Sequence, residues 1–270
     1  MDTLGIIAGS RSLPLEIARL ARQAGVQRLV AVGFEGETDP ELANLVDEMT
    51  YVRVGQLSRM IRYFKGNEVA QCVMGGQVAP KNLFDLRPDF RAAAVLLRLK
   101  EKNAHTIFGA IADELGKDGI ELIEATPWLR PLMPEVGFEL GTRLGKEQRE
   151  DLQFGYRLAK DVSRLEIGQS VVVKGGTVLA VEGFEGTDRC LIRGGELAGK
   201  KGGAVAVKVA KENHDMRFDI PCIGAATIET CLAAGIAVLG LESRRVIILE
   251  QETIEQLLRK AHFSIVAVGD

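Results

Sequence analysis

Short apolar runs alternate with candidate helices along the first 125 residues of the chain. The runs are rich in Val, Ile, Leu or Met and are shorter than a helix of normal length, and segments such as 14–24 and 57–65 lie between them. In a chain of ordinary composition this alternation predicts a parallel sheet with helices on its faces, a Rossmann-like α/β domain. The predicted strands are Leu4–Ala8, Arg28–Val32, Tyr51–Val54, Gln71–Met74 and Ile120–Ile123.

A candidate anion-binding loop follows the first predicted strand. Pro14 suits the first turn of a helix because its missing N–H would have no partner there, and the free N–H groups of that turn attract anions. Gly9, Ser10 and Leu13 are therefore candidate substrate-binding residues. The loop has neither G-x-G-x-x-G nor G-K-[ST] spacing, so dinucleotide and P-loop chemistry are not indicated. A tight turn without a ligand fits the loop equally well.

Three prolines mark a boundary in the middle of the chain. They lie within Thr126–Pro134, a composition that disfavours regular structure and predicts an extended connection. The boundary divides the chain into a first domain at 1–130 and a second α/β domain with a mixed sheet at 135–270. The second domain carries most of the acidic catalytic candidates.

The second half begins with a predicted helix, Lys146–Glu166, and continues as a hairpin. Gln169–Lys174 and Thr177–Glu182 flank Gly175-Gly176, a dipeptide that accepts the positive φ values of a two-residue turn. Period-two alternation places Leu179 and Val181 on one face of the second strand.

One later segment, Ile220–Leu241, is long and apolar enough to suggest a membrane span. Glu229 lies inside it, and a carboxylate in lipid would cost about 2.5 kcal/mol or more. A helix at Thr227–Ala234 followed by a buried strand at Ile236–Leu239 is the better interpretation.

Charge and cysteine content exclude further classes. The formal net charge is −3 and the chain has no basic tract, so no nucleic-acid partner is expected. The four cysteines form no C-x-x-C pair and lack histidines at metal-ligand spacing, which argues against zinc and against a disulfide framework. The first residues do not resemble a secretory signal, so we expect a cytoplasmic protein.

Two predicted strand ends carry acids together with cations or a hydroxyl. The first lies within Val181–Arg189 and the second within Val205–Pro221. Carboxylates are ligands for Mg²⁺ or Mn²⁺, and lysine and arginine bind phosphate oxygens. The candidate metal ligands are Glu182, Asp188, Asp215 and Asp219. The candidate substrate-binding residues here are Lys174, Thr187, Lys208, Lys211 and Arg217.

These residue types fit cleavage of a phosphoanhydride. A metal and cations stabilise charge on the phosphoryl oxygens while a carboxylate orients or deprotonates water, and no covalent nucleophile is needed. His214, beside Asp215, is a candidate base or hydrogen-bond donor, although a surface histidine is equally consistent.

At these positions the chain resembles the UDP-2,3-diacylglucosamine pyrophosphatases of lipid A synthesis, of the two-domain, magnesium-dependent kind unrelated to calcineurin-like phosphoesterases. The resemblance is carried by Gly5-Ile-Ile-Ala-Gly9 with Leu13-Pro14, by Gly168–Lys174, by Val181-Glu182 with Glu185-Gly-Thr-Asp188, and by Asp215–Gly224. It implies hydrolysis of UDP-2,3-diacylglucosamine to UMP and 2,3-diacylglucosamine 1-phosphate (lipid X), with the lipid held between two domains. It also implies Mg²⁺ and an essential acid at Asp215 or Asp219, with Asp188 as the next candidate.

The chain departs from the family pattern at two places. Ser10 and Arg11 stand where the family often has further glycine, and Lys211-Glu-Asn-His-Asp215 replaces a Lys-Pro-x-Gln-Asp run. The first departure puts the ligand contacts of the loop in doubt. The second keeps Asp215 and makes any role of His214 peculiar to this chain.

Two other functions stay open at this stage. A nucleotide-sugar or lipid carrier would bind the same ligand without needing two carboxylate clusters, and a phosphatase for soluble nucleotides would show no preference for acylated substrates. An acylated substrate also implies contact with a membrane surface, which for this family means the inner membrane. The sequence leaves self-association open.

Overall fold

The computed structural model describes residues 2–78, 88–101, 104–211, 215–218 and 220–269. The predicted positions Asp219 and His214 lie outside the described residues. The chain forms two compact units. One unit comprises Met1–Leu129 with Asp215–Asp219, and the other comprises Arg130–His214 with Ile220–Asp270.

The first unit contains the predicted Rossmann-like sheet. Among the described residues its five strands are all parallel, in the order β3-β2-β1-β4-β5, and the apolar runs form them because both sheet faces are covered. The strand order reverses between β1 and β4, and ligands of such sheets bind outside the strand ends at this point. The elements are β1 Thr3–Ala8, α1 Leu13–Gln23, β2 Arg28–Phe34, β3 Glu48–Val52, α2 Leu57–Gly66, β4 Gln71–Gly75, α3 Phe90–Arg98, α4 Ala104–Lys117, β5 Glu121–Leu122 and α5 Thr126–Leu129, with a 3-10 helix at Pro40–Asn44.

The proline-rich segment is helical, and the predicted extended connection is wrong. α5 begins at Thr126 and is followed by a 3-10 helix at Arg130–Leu132. Pro127 and Pro131 each stand second in these short helices. There proline costs no intrahelical hydrogen bond, and its fixed φ suits the first turn.

The second unit is built on a mixed sheet, as predicted. In the described residues its six strands lie in the order β6-β13-β11-β9-β7-β8. Strands β13, β11 and β9 are parallel, and β7 is antiparallel to both of its neighbours, β9 and β8. Helix α6 covers one face, and α7, α8 and α9 cover the other. The elements are β6 Glu139–Gly141, α6 Lys146–Arg164, β7 Ser170–Lys174, β8 Thr177–Val181, α7 Thr187–Leu197, β9 Ala204–Lys208, β10 Cys222–Ile223, α8 Ala225–Ala233, β11 Ile236–Glu242, β12 Ile247–Ile248, α9 Gln251–Leu258 and β13 Ser264–Val268.

The predicted hairpin turn is present and is held from the neighbouring helix. Gly175 and Gly176 have φ values of 55° and 70°, and their N–H groups donate to the two carboxylate oxygens of Asp151 at 2.7 and 2.8 Å. The pairing of β8 with β7 slips by one residue between Ala180 and Val178. Leu179 consequently packs with the cluster that contains Ala180, so the predicted alternation along β8 is wrong there.

The apolar segment Ile220–Leu241 forms helix α8 and the buried strand β11, which confirms the helix-then-strand interpretation. Within the described part of the chain, no helix is both long and apolar enough to cross a membrane.

Candidate active site

Three polar residues meet at one edge of the six-stranded sheet. Because β7 runs antiparallel to its neighbours, its first residue, Ser170, pairs with Lys208 at the end of β9. The Ser170 carbonyl also accepts the N–H of Glu182, just beyond β8, at 2.9 Å. By strand alternation all three side chains lie on the face covered by α7 and α8, as do Val172, Ala180 and Ala206.

Glu182 is the most unusual group at this edge. The residue is 6% exposed, and its Oε1 accepts a hydrogen bond from the Thr187 hydroxyl at 3.1 Å. Its second oxygen, Oε2, is buried without a hydrogen-bond partner. A buried carboxylate oxygen that lacks a donor or a cation is costly, so Oε2 is positioned to receive one.

Lys208 supplies positive charge at the same edge. The residue is 8% exposed, and its ammonium donates to the Cys222 carbonyl at 3.1 Å. Burial raises the pKa of the Cys231 thiol to about 12, with Asp188 adding to the increase and Lys208 opposing it, which places both charges near this thiol. Asp188 itself is exposed.

The N-terminus of α7 opens at this edge as well. Its N-cap, Gly186, has φ 85° and offers no side-chain cap, so the first N–H groups of the helix stay available to an anion. The acid before it, Glu185, is used elsewhere: hydrogen bonds from its own N–H and then from Arg193 lower the pKa of its carboxyl.

Lys174 lies at the other end of β7, about 13 Å from Ser170 at the usual rise per residue. Its ammonium donates to the carbonyls of Ala198 and Gly202 at 2.7 and 2.6 Å. The sequence interpretation that grouped Lys174 with Lys208 is corrected here, because the antiparallel direction of β7 separates the two lysines.

Asp215 and Arg217 belong to the first unit. The Arg217 guanidinium grips both carboxylate oxygens of Asp215, at 2.6 to 3.1 Å, and this hydrogen bonding is the main reason that the pKa of Arg217 is raised. Phe218 packs on Phe108 with ring centroids 5.6 Å apart, which fixes the segment on α4. Both charged residues line an open cleft of about 590 Å³ along β5, together with Asp113.

Lys211 belongs to the second unit, three residues beyond β9. Its carbonyl accepts a hydrogen bond from Arg245 at 3.0 Å, and its side chain is half-buried.

The predicted loop residues lie at the β1–β4 reversal of the first sheet. The Ser10 hydroxyl donates to the Gln77 carbonyl at 2.8 Å, and the missing Cβ of Gly9 would stand 2.7 Å from the same oxygen. The Leu13 side chain is 6% exposed and packs inward. The Ser10 side chain therefore ties the loop after β1 to the loop after β4, and Leu13 belongs to the core.

Arg11 explains the first departure from the family pattern. It has φ 69°, a left-handed conformation that glycine adopts without strain and arginine does not.

Sequence reasoning missed Ser170. Its hydroxyl lies 3.3 Å from that of Thr187, and the residue is 1% exposed. The available signal was its place inside the motif Gly168–Lys174, where a single hydroxyl precedes a run of valines. In the described residues no group of three His, Cys, Asp or Glu side chains is placed to hold a metal ion, and the predicted ligand Asp219 lies outside those residues.

Comparisons with known proteins span nearly the whole chain. A family model described as the LpxI N-terminal domain matches residues 3–132, and one described as the LpxI C-terminal domain matches residues 136–266. The UDP-2,3-diacylglucosamine pyrophosphatase LpxI of Caulobacter vibrioides is 30% identical over 269 residues, covering 94% of this chain and 93% of its own.

Solved structures give weaker likenesses. Phosphoribosylglycinamide synthetase from Anaerococcus prevotii is 12% identical with a TM-score of 0.28, over 70% of this chain and 34% of its own. A biotin carboxylase complex with β,γ-ATP from Campylobacter jejuni is 11% identical with a TM-score of 0.30, over 72% of this chain and 42% of its own. The chain spans less than half of either structure, and at these TM-scores neither likeness bears on fold or function.

Proposed function

Because this chain belongs to the LpxI family, with both family domains in order along nearly its whole length, we propose that it hydrolyses the diphosphate of UDP-2,3-diacylglucosamine. The products are UMP and 2,3-diacylglucosamine 1-phosphate. The observation that carries the substrate is the match to a UDP-2,3-diacylglucosamine pyrophosphatase over 94% of the chain. We propose residues 1–130 and 135–270 as the two functional domains.

The diphosphate binds, in this proposal, at the sheet edge of the second unit. The buried ammonium of Lys208 and the uncapped N-terminus of α7 both favour an anion. Positive groups that are already fixed in place stabilise the charge that develops on phosphoryl oxygens as the bond breaks. Lys211, three residues beyond β9, supplies a further cation to the same strand end.

A divalent cation, Mg²⁺ or Mn²⁺, fits the acids of this edge. The unpartnered Oε2 of Glu182 is a ready ligand, and the exposed carboxylate of Asp188 lies on the first turn of α7. Mg²⁺ usually takes one or two protein carboxylates and completes its shell with water and substrate phosphate, so two ligands suffice. When bound, the cation neutralises negative charge on the diphosphate.

The acid that activates water is proposed at Asp215 or Asp219, with Asp188 as the third candidate. Asp215 has its carboxylate oriented by Arg217, which supports a fixed rather than a mobile acid. Arg217 could also contact the substrate once a phosphate competes for its guanidinium.

The test is release of UMP from UDP-2,3-diacylglucosamine by purified protein with Mg²⁺, with Mn²⁺ and with EDTA. Asp215→Asn, Asp219→Asn and Asp188→Asn are compared with Asp161→Asn, a matched acid-to-amide change at a residue whose side chain is 63% exposed and paired with Arg164. We expect cation-dependent release, retained in the Asp161 variant and lost in the variant that removes the essential acid.

Other outcomes identify the alternatives. Wild-type protein that binds the lipid but releases no UMP would be a carrier. Equal activity on UDP-sugars without acyl chains would indicate a phosphatase for soluble nucleotides.

A further inference from the structure

A chain of hydroxyl groups ends on the buried carboxylate of Glu182. Ser170 Oγ lies 3.3 Å from Thr187 Oγ1, which lies 3.1 Å from Glu182 Oε1. All three residues belong to the second unit, and Ser170 and Glu182 are 1% and 6% exposed.

The direction of this chain follows from the number of protons. An ionised carboxylate only accepts, so the single Thr187 hydroxyl proton is donated to Glu182. Thr187 then has no proton left for Ser170, and Ser170 must be the donor between the two hydroxyls. The hydrogen bonds therefore run from Ser170 to Thr187 and from Thr187 to Oε1 of Glu182. Each donor holds the orientation of the group that accepts its hydrogen bond.

Glu242 shows what a buried structural carboxylate in the same unit looks like. It is also 6% exposed, but one oxygen accepts from Lys160 at 2.7 Å and the other from the Ala210 N–H at 2.7 Å. Glu182 is buried to the same degree with only Oε1 partnered by the protein. The hydroxyl chain thus holds a carboxylate whose other oxygen is left for a group from outside.

We propose that Ser170 is a positioning residue that, through Thr187, presents Oε2 of Glu182 to a divalent cation. The inference rests on the proposed function and extends it to a residue that touches neither substrate nor metal. Such outer partners orient a ligand, and their loss typically weakens metal affinity by about 10- to 100-fold.

The test measures binding of Mn²⁺ alone, by electron paramagnetic resonance of the free ion, to the full-length protein. Ser170→Ala and Thr187→Val each break the hydroxyl chain, whereas Thr187→Ser keeps it. Ser264→Ala is the matched control: Ser264 is 2% exposed, its hydroxyl donates to the Thr142 carbonyl, and it begins β13 at the opposite edge of the same sheet.

We expect Ser170→Ala and Thr187→Val each to weaken Mn²⁺ binding by about tenfold. The double variant should be no weaker than Thr187→Val, because both substitutions interrupt one chain. Thr187→Ser and Ser264→Ala should bind like the wild type.

Normal Mn²⁺ affinity in Ser170→Ala, or full additivity in the double variant, overturns the proposal. If Ser170→Ala does not fold, the comparison of Thr187→Ser with Thr187→Val decides in its place. Wild-type protein that releases UMP without saturable Mn²⁺ binding would overturn this inference and leave the hydrolase intact. If Mn²⁺ binding changes in the variants as expected but the wild type releases no UMP, the positioning role of Ser170 stands and the hydrolase proposal is overturned.

Discussion

Lys174 and Lys208 make a matched pair for testing whether position in the sheet decides function. Both are lysines at the ends of strands in one sheet, but they lie at opposite edges. The Lys174 ammonium donates to the carbonyls of Ala198, at the end of α7, and of Gly202, in the following turn. Lys208 lies at the same sheet edge as Glu182, since both residues are paired with Ser170. The substitutions Lys174→Met and Lys208→Met remove the charge and keep most of the side-chain length.

The structure predicts a loss of stability for Lys174→Met without a loss of activity. A hydrogen bond from a charged donor contributes about 1.5 to 3 kcal/mol. Two such bonds are lost, but Lys174 is only half-buried and water partly replaces them, so we expect a loss of about 2 kcal/mol. For a protein of this size that lowers Tm by about 4 to 8 °C. kcat/KM should stay within about twofold of the wild type.

Lys208→Met, in contrast, should lose activity. Loss of a fixed cation beside the diphosphate is expected to lower kcat/KM by about 100-fold. Urea denaturation, thermal melting and UMP release, all measured on both variants, provide the comparison. A Lys174→Met variant with normal Tm and little activity would refute the reasoning from strand direction.

Four further predictions concern stability and thiol chemistry. Asp151→Ala removes both hydrogen bonds to the hairpin turn and should lower the unfolding free energy by about 2 to 3 kcal/mol, measured in urea. Arg11→Gly relieves the strain of the left-handed backbone conformation and should raise the unfolding free energy by about 1 kcal/mol. An unchanged or lower unfolding free energy would contradict the strain argument. Burial raises the pKa of the Cys72 thiol to about 12. The contribution of this thiol to the unfolding free energy is therefore fully present below about pH 9 and falls by about 1.4 kcal/mol per pH unit above it. Cys72→Ala should flatten this decline. In native protein at pH 8 the half-buried Cys222 should react with a thiol reagent before the three buried thiols, and simultaneous reaction would argue against the described burial.

Local patterns were sufficient for much of the fold. The strand β1, the hairpin turn at Gly175-Gly176 and the helix α8 each follow from residues adjacent in sequence, by apolar runs, positive-φ glycines or a glycine stop. The physical constraints on these elements act between residues a few positions apart, so the elements can be predicted from the sequence alone.

The site depends on pairing between distant strands, which local patterns do not express. The direction of β7 against β9 decides that Ser170, and not Lys174, meets Lys208. The slip in β8 likewise arises from its partner strand and reverses the expected face of Leu179. The residue types alone were sufficient to propose the acids as metal ligands. That Oε2 of Glu182 has no hydrogen-bond partner depends on its neighbours in the fold, so it could be found only in the structure.

The first unit is built from two separate segments of the chain, and this affects how it can fold during synthesis on the ribosome. The unit takes in Asp215–Asp219 after Arg130–His214 has been made, so the nascent chain offers Phe108 its partner Phe218 only late in translation. Folding of this unit cannot be finished in simple order from the N-terminus. A gene cut after Leu129 would encode a polypeptide that lacks part of its own packing, however the remainder is supplied.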